Sequence, residues 1–473
     1  MSETEKTEGQ KLQEELFYER KNGWDLATDE EKEKIFKFSD EYMYFLNKVK
    51  TEREAAIFVR EILEENNFKN IEEVEKLNAG DKVYYVNRSK SVYIAVIGKQ
   101  DIEKGVNVIG AHIDAPRIDL KPNPLYEDTG LAYFKTHYYG GIKKYQWTTI
   151  PLSLHGVIVK SNGEKVTINI GENDEDPIFT ITDLLPHLAR EQMQKKLADG
   201  VSGEDLNLLI GSMPFKDESV SEKVKLNILK ILNEKYGIKE IDFASSELEI
   251  VPAFKARSVG FDSSMIGAYG QDDRSCAYTS LRAMLDVQNP EKTIVCILSD
   301  KEEIGSMGNT GMESEVFDNF IAEILNKCEV NRANLLNKVF CNSKMLSADV
   351  NAAYEPLYAG SYEITNSARL CNGIIIEKYT GAGGKYNGSD ANAEYVGVVR
   401  KIFENNNVLY QTNDMGKVDA GGGGTIAYIL ANKGMDVLDC GVPLLCMHSP
   451  LEITSKYDIY CAYKAYKAFY ENA

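Results

Sequence analysis

Two histidines and three acidic residues stand where short apolar runs end. His112 follows 106–110, Glu303 follows 293–298, Asp349 follows 344–348 and His448 follows 442–447, while Asp272 opens a helical pattern over 273–284. Imidazole nitrogen and carboxylate oxygen are zinc ligands, and a catalytic zinc keeps one position open for water. Five ligands are too many for one such ion. They suit two ions if one carboxylate bridges, and paired metals about 3.5–4 Å apart are a known arrangement in aminopeptidases. These ligand types serve Zn²⁺, Mn²⁺ and Co²⁺ alike, with selectivity left to geometry and supply. In Ser299-Asp300-Lys301-Glu302-Glu303-Ile304-Gly305, one of two adjacent glutamates can bind metal while the other handles protons; Glu302 is the candidate general base. Asp114, in His112-Ile113-Asp114, can accept the other ring proton of His112 and hold the imidazole in its ligating orientation. Taken singly, a histidine at a strand end is more often a hydrogen-bonded loop residue, and an aspartate before a helix an N-cap. The joint pattern points to metal, because the chain has only five histidines and the two in apolar strand-end contexts are the two it requires.

The elements that must position these residues are readable from the same runs. They are short and β-prone, and each reads as a buried parallel strand. In an open α/β sheet, ligands gather outside the carboxyl ends of the strands, so residues hundreds of positions apart can meet there. Residues 29–67 carry helical patterning and about 83–112 read as strands leading to His112. After Lys121 the character changes. Residues 157–170 alternate around Asn162-Gly163, a strong hairpin signal. An acidic loop (171–177), an amphipathic stretch (222–236) and a strand near 248–254 follow, and βαβ logic resumes only after about 256. The expected organisation is therefore an α/β catalytic domain with a mixed or parallel sheet, formed by residues 1–122 and 257–473. It is interrupted by an inserted β-rich domain, 123–256, which carries none of the five ligands and whose plain role is assembly.

Gly110-Ala111-His112-Ile113-Asp114-Ala115-Pro116-Arg117, Gln271-Asp272-Asp273-Arg274, Asp300-Lys301-Glu302-Glu303-Ile304-Gly305-Ser306, Ser347-Ala348-Asp349 and Met447-His448-Ser449-Pro450 together resemble the motif series of the aspartyl-aminopeptidase family of co-catalytic zinc aminopeptidases, in a bacterial-type form. The likeness runs in order from about residue 20 to the C-terminus. It implies that Asp272 bridges two zinc ions, that His112 and Asp349 complete one site and Glu303 and His448 the other, and that Glu302 activates the water. It also implies that the insertion is a dimerisation or lid domain in a large homo-oligomer, commonly a tetrahedral dodecamer. His187, in Leu184-Leu185-Pro186-His187-Leu188-Ala189, matches a family segment whose histidine reaches a neighbouring subunit's active site. One departure concerns specificity. The acid-preferring members carry a histidine two positions after the Ser-Ala-Asp aspartate, and this chain has Asn351 there. An acidic first residue would then depend on Lys378 or Lys385.

Composition excludes other classes. With 473 residues and 43% hydrophobic content the chain can bury large cores and is too long for one ordinary domain. A formal charge of −19 argues against nucleic acid or anionic membrane as the main partner. Met1–Gln10 are polar without an apolar h-region, and no apolar run approaches the length of a spanning helix, which reads as cytoplasmic. All eight cysteines lie after residue 275 without a Cys-x-x-Cys pair, so buried reduced thiols are expected rather than disulfides. Asp419-Ala420-Gly421-Gly422-Gly423-Gly424-Thr425 lacks the Gly-Lys-Ser/Thr of a nucleotide loop; it is either a structural turn or, through Gly423, a backbone surface for substrate. The expected activity is release of the N-terminal residue from peptides, with acidic, broad or neutral preference open. The rivals are a co-catalytic deacylase or carboxypeptidase, which would need an arginine-rich grip on a substrate C-terminus, and a metal-free scaffold, which the intact ligand set argues against.

Overall fold

Along the strand Asn107–His112, Ile109 and Ala111 pack to one side and Val108 to the other, so each face needs its own apolar cover. The computed structural model, which describes residues 6–330, 332 and 334–473, supplies both. Helices Asp29–Lys48, Glu52–Glu65, Gln271–Asp286, Ala393–Asn405 and Lys456–Asn472 cover the Ile109 side through Phe45, Val59, Tyr278, Phe403 and Tyr466. Val316–Lys327, Leu335–Cys341 and Ala427–Ala431 cover the other through Phe317, Phe340 and Leu430. The first two of these helices start at capping boxes closed by Thr28 with Glu31 and by Thr51 with Glu54.

The sandwiched sheet has nine strands. Its four central members, Ile294–Ser299, Asn107–His112, Lys344–Ser347 and Asp436–Gly441, run parallel and are buried on both faces. Ser91–Val96 and Ile374–Glu377 flank them antiparallel, which makes the sheet mixed. The register places Ser299 beside His112 and Ser347 beside both Gly110 and Asp439, so the carboxyl ends of these strands finish level.

One strand expectation needs correction. The run 442–447 does not form a central strand leading to His448; that strand is Asp436–Gly441, just upstream. Pro443–Leu444 pair briefly with Asn351–Ala352 and Leu445 bridges to Ile453, and His448 follows on a turn with φ of 62°. Pro443 has no amide hydrogen to give a ladder, so apolarity there marks burial rather than continued pairing.

A second sheet of seven antiparallel strands begins at Arg117–Asp128, five residues after His112, and ends at Ser246–Pro252. Its hairpin turns at Asn162-Gly163, pairing Val159 with Lys165, and Gly163 adopts the left-handed φ of 85° that such turns require. Phe134, Trp147, Leu154 and Ile250 form its own core, onto which the helix Lys223–Tyr236 packs Ile228, Leu229 and Leu232. A third, three-stranded sheet pairs Ala268 with Glu452, bringing that glutamate beside the chain entering Asp272.

Leu346 is fully buried two residues before Ala348 and three before Asp349. Leu346→Ala should therefore lower the unfolding free energy by about 2–5 kcal/mol, measured by urea denaturation. A loss under roughly 1 kcal/mol would contradict its place in a close-packed core.

Candidate active site

His112 ends its strand, and its backbone amide donates to Asp273 Oδ2 at 3.3 Å. Its Nδ1 lies 3.1 Å from the Asp114 carbonyl and 3.3 Å from Asp114 Oδ1, so Nε2 is the nitrogen left to face the cavity. Asp272 enters in an extended conformation before its helix, after Gly270 at φ of 70°. A Cβ on Gly270 would lie 2.0 Å from Arg274 Nη1, and the Arg274 side chain is buried, donating to the carbonyls of Ile113 and Lys50 at 3.1 Å each. Only glycine fits there. Gly441 plays the same part for Asp349, whose carbonyl oxygen would sit 1.6 Å from an added Cβ.

The two carboxylate oxygens of Asp272 point different ways. Oδ1 is 3.2 Å from His112 Nε2 and Oδ2 is 3.2 Å from His448 Nε2. Asp349 Oδ1 lies 3.8 Å from His112 Nε2, Glu302 Oε2 also 3.8 Å from it, and Glu303 Oε2 3.6 Å from His448 Nε2. The sequence-derived ligands thus converge. Two threesomes have donor atoms mutually within 4.8 Å: His112, Asp272 and Glu303, and His112, Asp273 and Asp349.

Besides Asp114, expected from its spacing to His112, four supports of this cluster have little or no sequence signal: Tyr139, Glu452, Gly141 and Asp273. The Asp114 carboxylate accepts the backbone amides of Glu302 and Glu303 at 3.2 Å each, pinning the turn after Ile294–Ser299, and accepts the Tyr139 hydroxyl at 2.8 Å. Glu452 accepts the amides of both His448, at 2.8 Å, and Asp272, at 3.1 Å. Gly141 offers its carbonyl to His448 Nδ1 at 2.9 Å. Asp273 is fully buried with Oδ1 unpartnered. Its place in the doublet Asp272-Asp273 was the only hint, and a helix N-terminus explained it equally well.

The donor set fits divalent metal. Burial and the neighbouring charge of Asp272 push Glu303 well above the usual carboxylate range, and burial with Asp273 does the same to Asp349. Glu303 Oε1 is buried without a partner. Carboxylates in that condition either hold protons or coordinate a cation. Burial opposes the charge on Asp272 as well, but the hydrogen bonds from His112 and His448 outweigh it and hold that carboxyl below its usual range. Burial also works against protonated His448, yet its contacts with Asp272 and Glu303 raise it to about 10. Glu302 is raised to about 7, by burial first and then by Asp114 and Asp272, against the opposing His112. It touches the cluster from the cavity side, where a proton acceptor near neutrality is useful.

The cavity above the cluster has a volume of about 690 Å³ and is lined by Asp272, Glu302, Glu303, Asp349 and His448, with Gly423 and Lys385 farther along its wall. The remaining two sequence-predicted contacts, Lys378 and His187, lie outside it. Lys378 does not line it and is paired with Asp390; Lys385 donates to the same Asp390 at 2.8 Å and lies 3.9 Å over the Tyr379 ring. His187 is exposed on the second sheet's side of the chain, outside this cavity. Gly423 accepts the Gly381 amide at 2.7 Å, so its loop is tied down as well as facing substrate space.

Over residues 45–470 the chain matches the family described as Aminopeptidase I zinc metalloprotease (M18). A Clostridium acetobutylicum protein named probable M18 family aminopeptidase 1 is 53% identical over 461 residues, covering 97% of this chain and 99% of its own. The crystal structure of an M18-family aminopeptidase from Thermotoga maritima is similar at a TM-score of 0.93 and 48% identity, covering 97% of this chain and 100% of that one. The S. cerevesiae mApe1 dodecamer shares the fold at a TM-score of 0.73 and 23% identity, over 91% of this chain and 96% of that one. A zinc-compatible donor cluster at the carboxyl edge of a mixed sheet is what such kinship leads one to find, and this chain belongs to the M18 family of zinc aminopeptidases.

Proposed function

We propose that this site releases the N-terminal residue of peptides with two zinc ions, His112, Asp349 and one oxygen of Asp272 holding the first, and Glu303, His448 and the other oxygen of Asp272 the second. The observation that carries this reading is the divided carboxylate of Asp272, with one oxygen turned to each imidazole. When bound, such ions polarise the scissile carbonyl and make water acidic enough to attack at neutral pH. The chain's own residues do the rest. Glu302 takes the proton of the attacking water and returns it to the leaving amine, the double role of a well-placed acid–base group. Asp114 keeps Glu302 and Glu303 in register through their two amides while its carbonyl fixes the tautomer of His112. Asp273 stays a supporting residue in this scheme because its Oδ2 is engaged by the His112 amide.

The deacylase or carboxypeptidase alternative lacks support: no arginine lines the cavity among the described residues. An acidic preference resting on Lys378 or Lys385 is weakened, since Asp390 engages both ammonium groups.

We further propose that residues 123–256 form an inserted assembly domain between the two parts of the catalytic domain, 1–122 and 257–473. The assembly would be a dimer-based homo-oligomer, a tetrahedral dodecamer at its fullest. Leu184, Leu185 and Leu188 expose apolar surface around His187, which marks a contact surface, and the similar S. cerevesiae mApe1 is described as a dodecamer. In such an assembly His187 would complete a neighbour's pocket. A cytoplasmic location suits the eight free thiols, which a reducing compartment preserves; among the described residues no helix is long and apolar enough to cross a membrane.

Glu302→Gln should reduce turnover by about a hundredfold or more while both zinc ions stay bound by elemental analysis; loss of metal in that variant would mean that Glu302 is a ligand. Asp272→Ala should lose both ions together, and full occupancy of either site would remove the bridge. Inactive His187→Ala subunits mixed with inactive Glu302→Gln subunits should regain activity, whereas verified mixed oligomers that stay inactive would exclude a shared pocket.

A further inference from the structure

The cavity continues past the metal donors to the strand Ile374–Glu377, where its character changes. Glu377 stands opposite Asp439 in the antiparallel register, and Asp439 stands opposite Ser347 in the parallel one. The three form a row at one level across three strands, with Asp349 two residues beyond Ser347. At about 4.8 Å between strands, Glu377 is roughly 10 Å to the side of the strand that delivers Asp349. Asp414 lines the same end.

These carboxylates differ in how they are satisfied. Asp439 accepts the hydroxyls of Thr425 and Ser389, and Asp414 accepts the Tyr379 hydroxyl at 3.3 Å. Glu377 is 3% exposed, and among the described residues no lysine, arginine or histidine forms an ion pair with any of the three. Burial, and then the charges of Asp439 and Asp414, push Glu377 well above the ordinary carboxylate range, against hydrogen bonds from the Asn413 side chain and the Met415 backbone. Like charges directly opposite across a sheet are destabilising, and a buried carboxyl without a cation is costly. Zinc would neutralise the cluster at one end of the cavity; among the described residues no cation of the chain does so here. The lysines on the cavity wall are Lys385, already on Asp390, and Lys417, which is exposed.

We propose that Glu377, backed by Asp439 and Asp414, is the specificity determinant of the site and selects peptides whose first residue is lysine or arginine. The inference rests on the aminopeptidase reading above. The substrate's α-ammonium sits one bond from the carbon next to the scissile carbonyl, too close to the metal donors to reach two strands away. A lysine side chain carries its ammonium on a flexible four-carbon stem, and arginine carries a planar fork suited to carboxylate, so either spans that displacement. The cation would meet a carboxylate row already assembled, and an aspartate or glutamate side chain would meet the same row as like charge.

The zinc-loaded enzyme is assayed for kcat/KM on tetrapeptides differing only in a first residue of Lys, Arg, Leu or Asp. Lys and Arg should lead Leu by about tenfold or more, with Asp slowest. Glu377→Gln, which keeps the shape, should remove that lead, with kcat/KM for Lys and Arg falling by about tenfold more than for Leu. Independently of turnover, calorimetry on the zinc-loaded Glu302→Gln protein should rank free lysine above leucine and aspartate, and the ranking should vanish in the Glu302→Gln/Glu377→Gln double variant. Fastest release of Asp, or an equal fall for all four peptides in Glu377→Gln, overturns the assignment while leaving the aminopeptidase reading intact. Absence of N-terminal release from every peptide, Leu included, would instead overturn that parent reading, and the calorimetric ranking would still decide the role of Glu377.

Discussion

Carboxylates buried beside carboxylates repel one another, and the catalytic half of this protein gathers several of them at one sheet edge: Asp272, Asp273, Glu303 and Asp349, with Glu302, Asp114 and Glu452 around them. An isolated buried charge is so costly that a side chain ordinarily takes up a proton instead. Here three different remedies are distributed by role. Asp114 and Glu452 receive backbone amides and so are satisfied by the chain itself. Asp272 is held between two imidazoles. Glu303 and Asp349 have no such compensation, which is the support for proposing them as ligands of a divalent cation.

The same constraint explains why the second sheet begins where it does. Arg117, five residues beyond His112, is buried among Glu52, Asp119 and Glu249 and lies 3.8 Å over the Tyr139 ring. Tyr139 in turn donates to Asp114, and Gly141, two residues later, fixes His448. Both imidazoles are therefore oriented, directly or through one intermediary, by the strand Leu131–Tyr139 and the turn that follows it. A sheet whose plain reading is assembly also supplies supports to the metal donors, so a disturbance at its edge would be felt at both histidines.

How far the chain could be read from its letters follows from the range of each interaction. Four of the candidate metal donors drew attention because they follow apolar runs, and Asp272 because it opens a helical pattern, both local signals, and all five fall into one cluster. The Asn162-Gly163 hairpin was legible for the same reason. The run before His448 misled, since the central strand ends at Gly441 and the apolar residues after it make only short pairings with Asn351–Ala352 and Ile453. Tyr139 and Gly141 were invisible because each acts on a residue that tertiary structure brings near, as with Gly141 and His448, 307 positions apart, and the same holds for the hold of Glu452 on Asp272, 180 positions away. The lysines at 378 and 385 drew attention by charge type alone, and Asp390, their common partner, lies five and twelve residues away in the same loop.

That last contrast bears on how specificity is built. A cation in a flexible loop can find a local carboxylate, as Lys385 does, at little ordering cost, and once paired it offers a substrate less than an unpaired charge would. A carboxylate on a central strand has no such freedom. Glu377 and Asp439 are set opposite one another by sheet register, with their backbone committed to the ladder, and neither can move away to relieve the repulsion. Rigid elements therefore preserve an unmet electrostatic demand that loops would dissipate. The sheet edge carries two such demands, one met by metal at the parallel strands and one left facing substrate at the antiparallel strand beside them. The chemistry and the selection of substrate thus follow from the same property: strand register holds like charges together more firmly than their mutual repulsion can separate them.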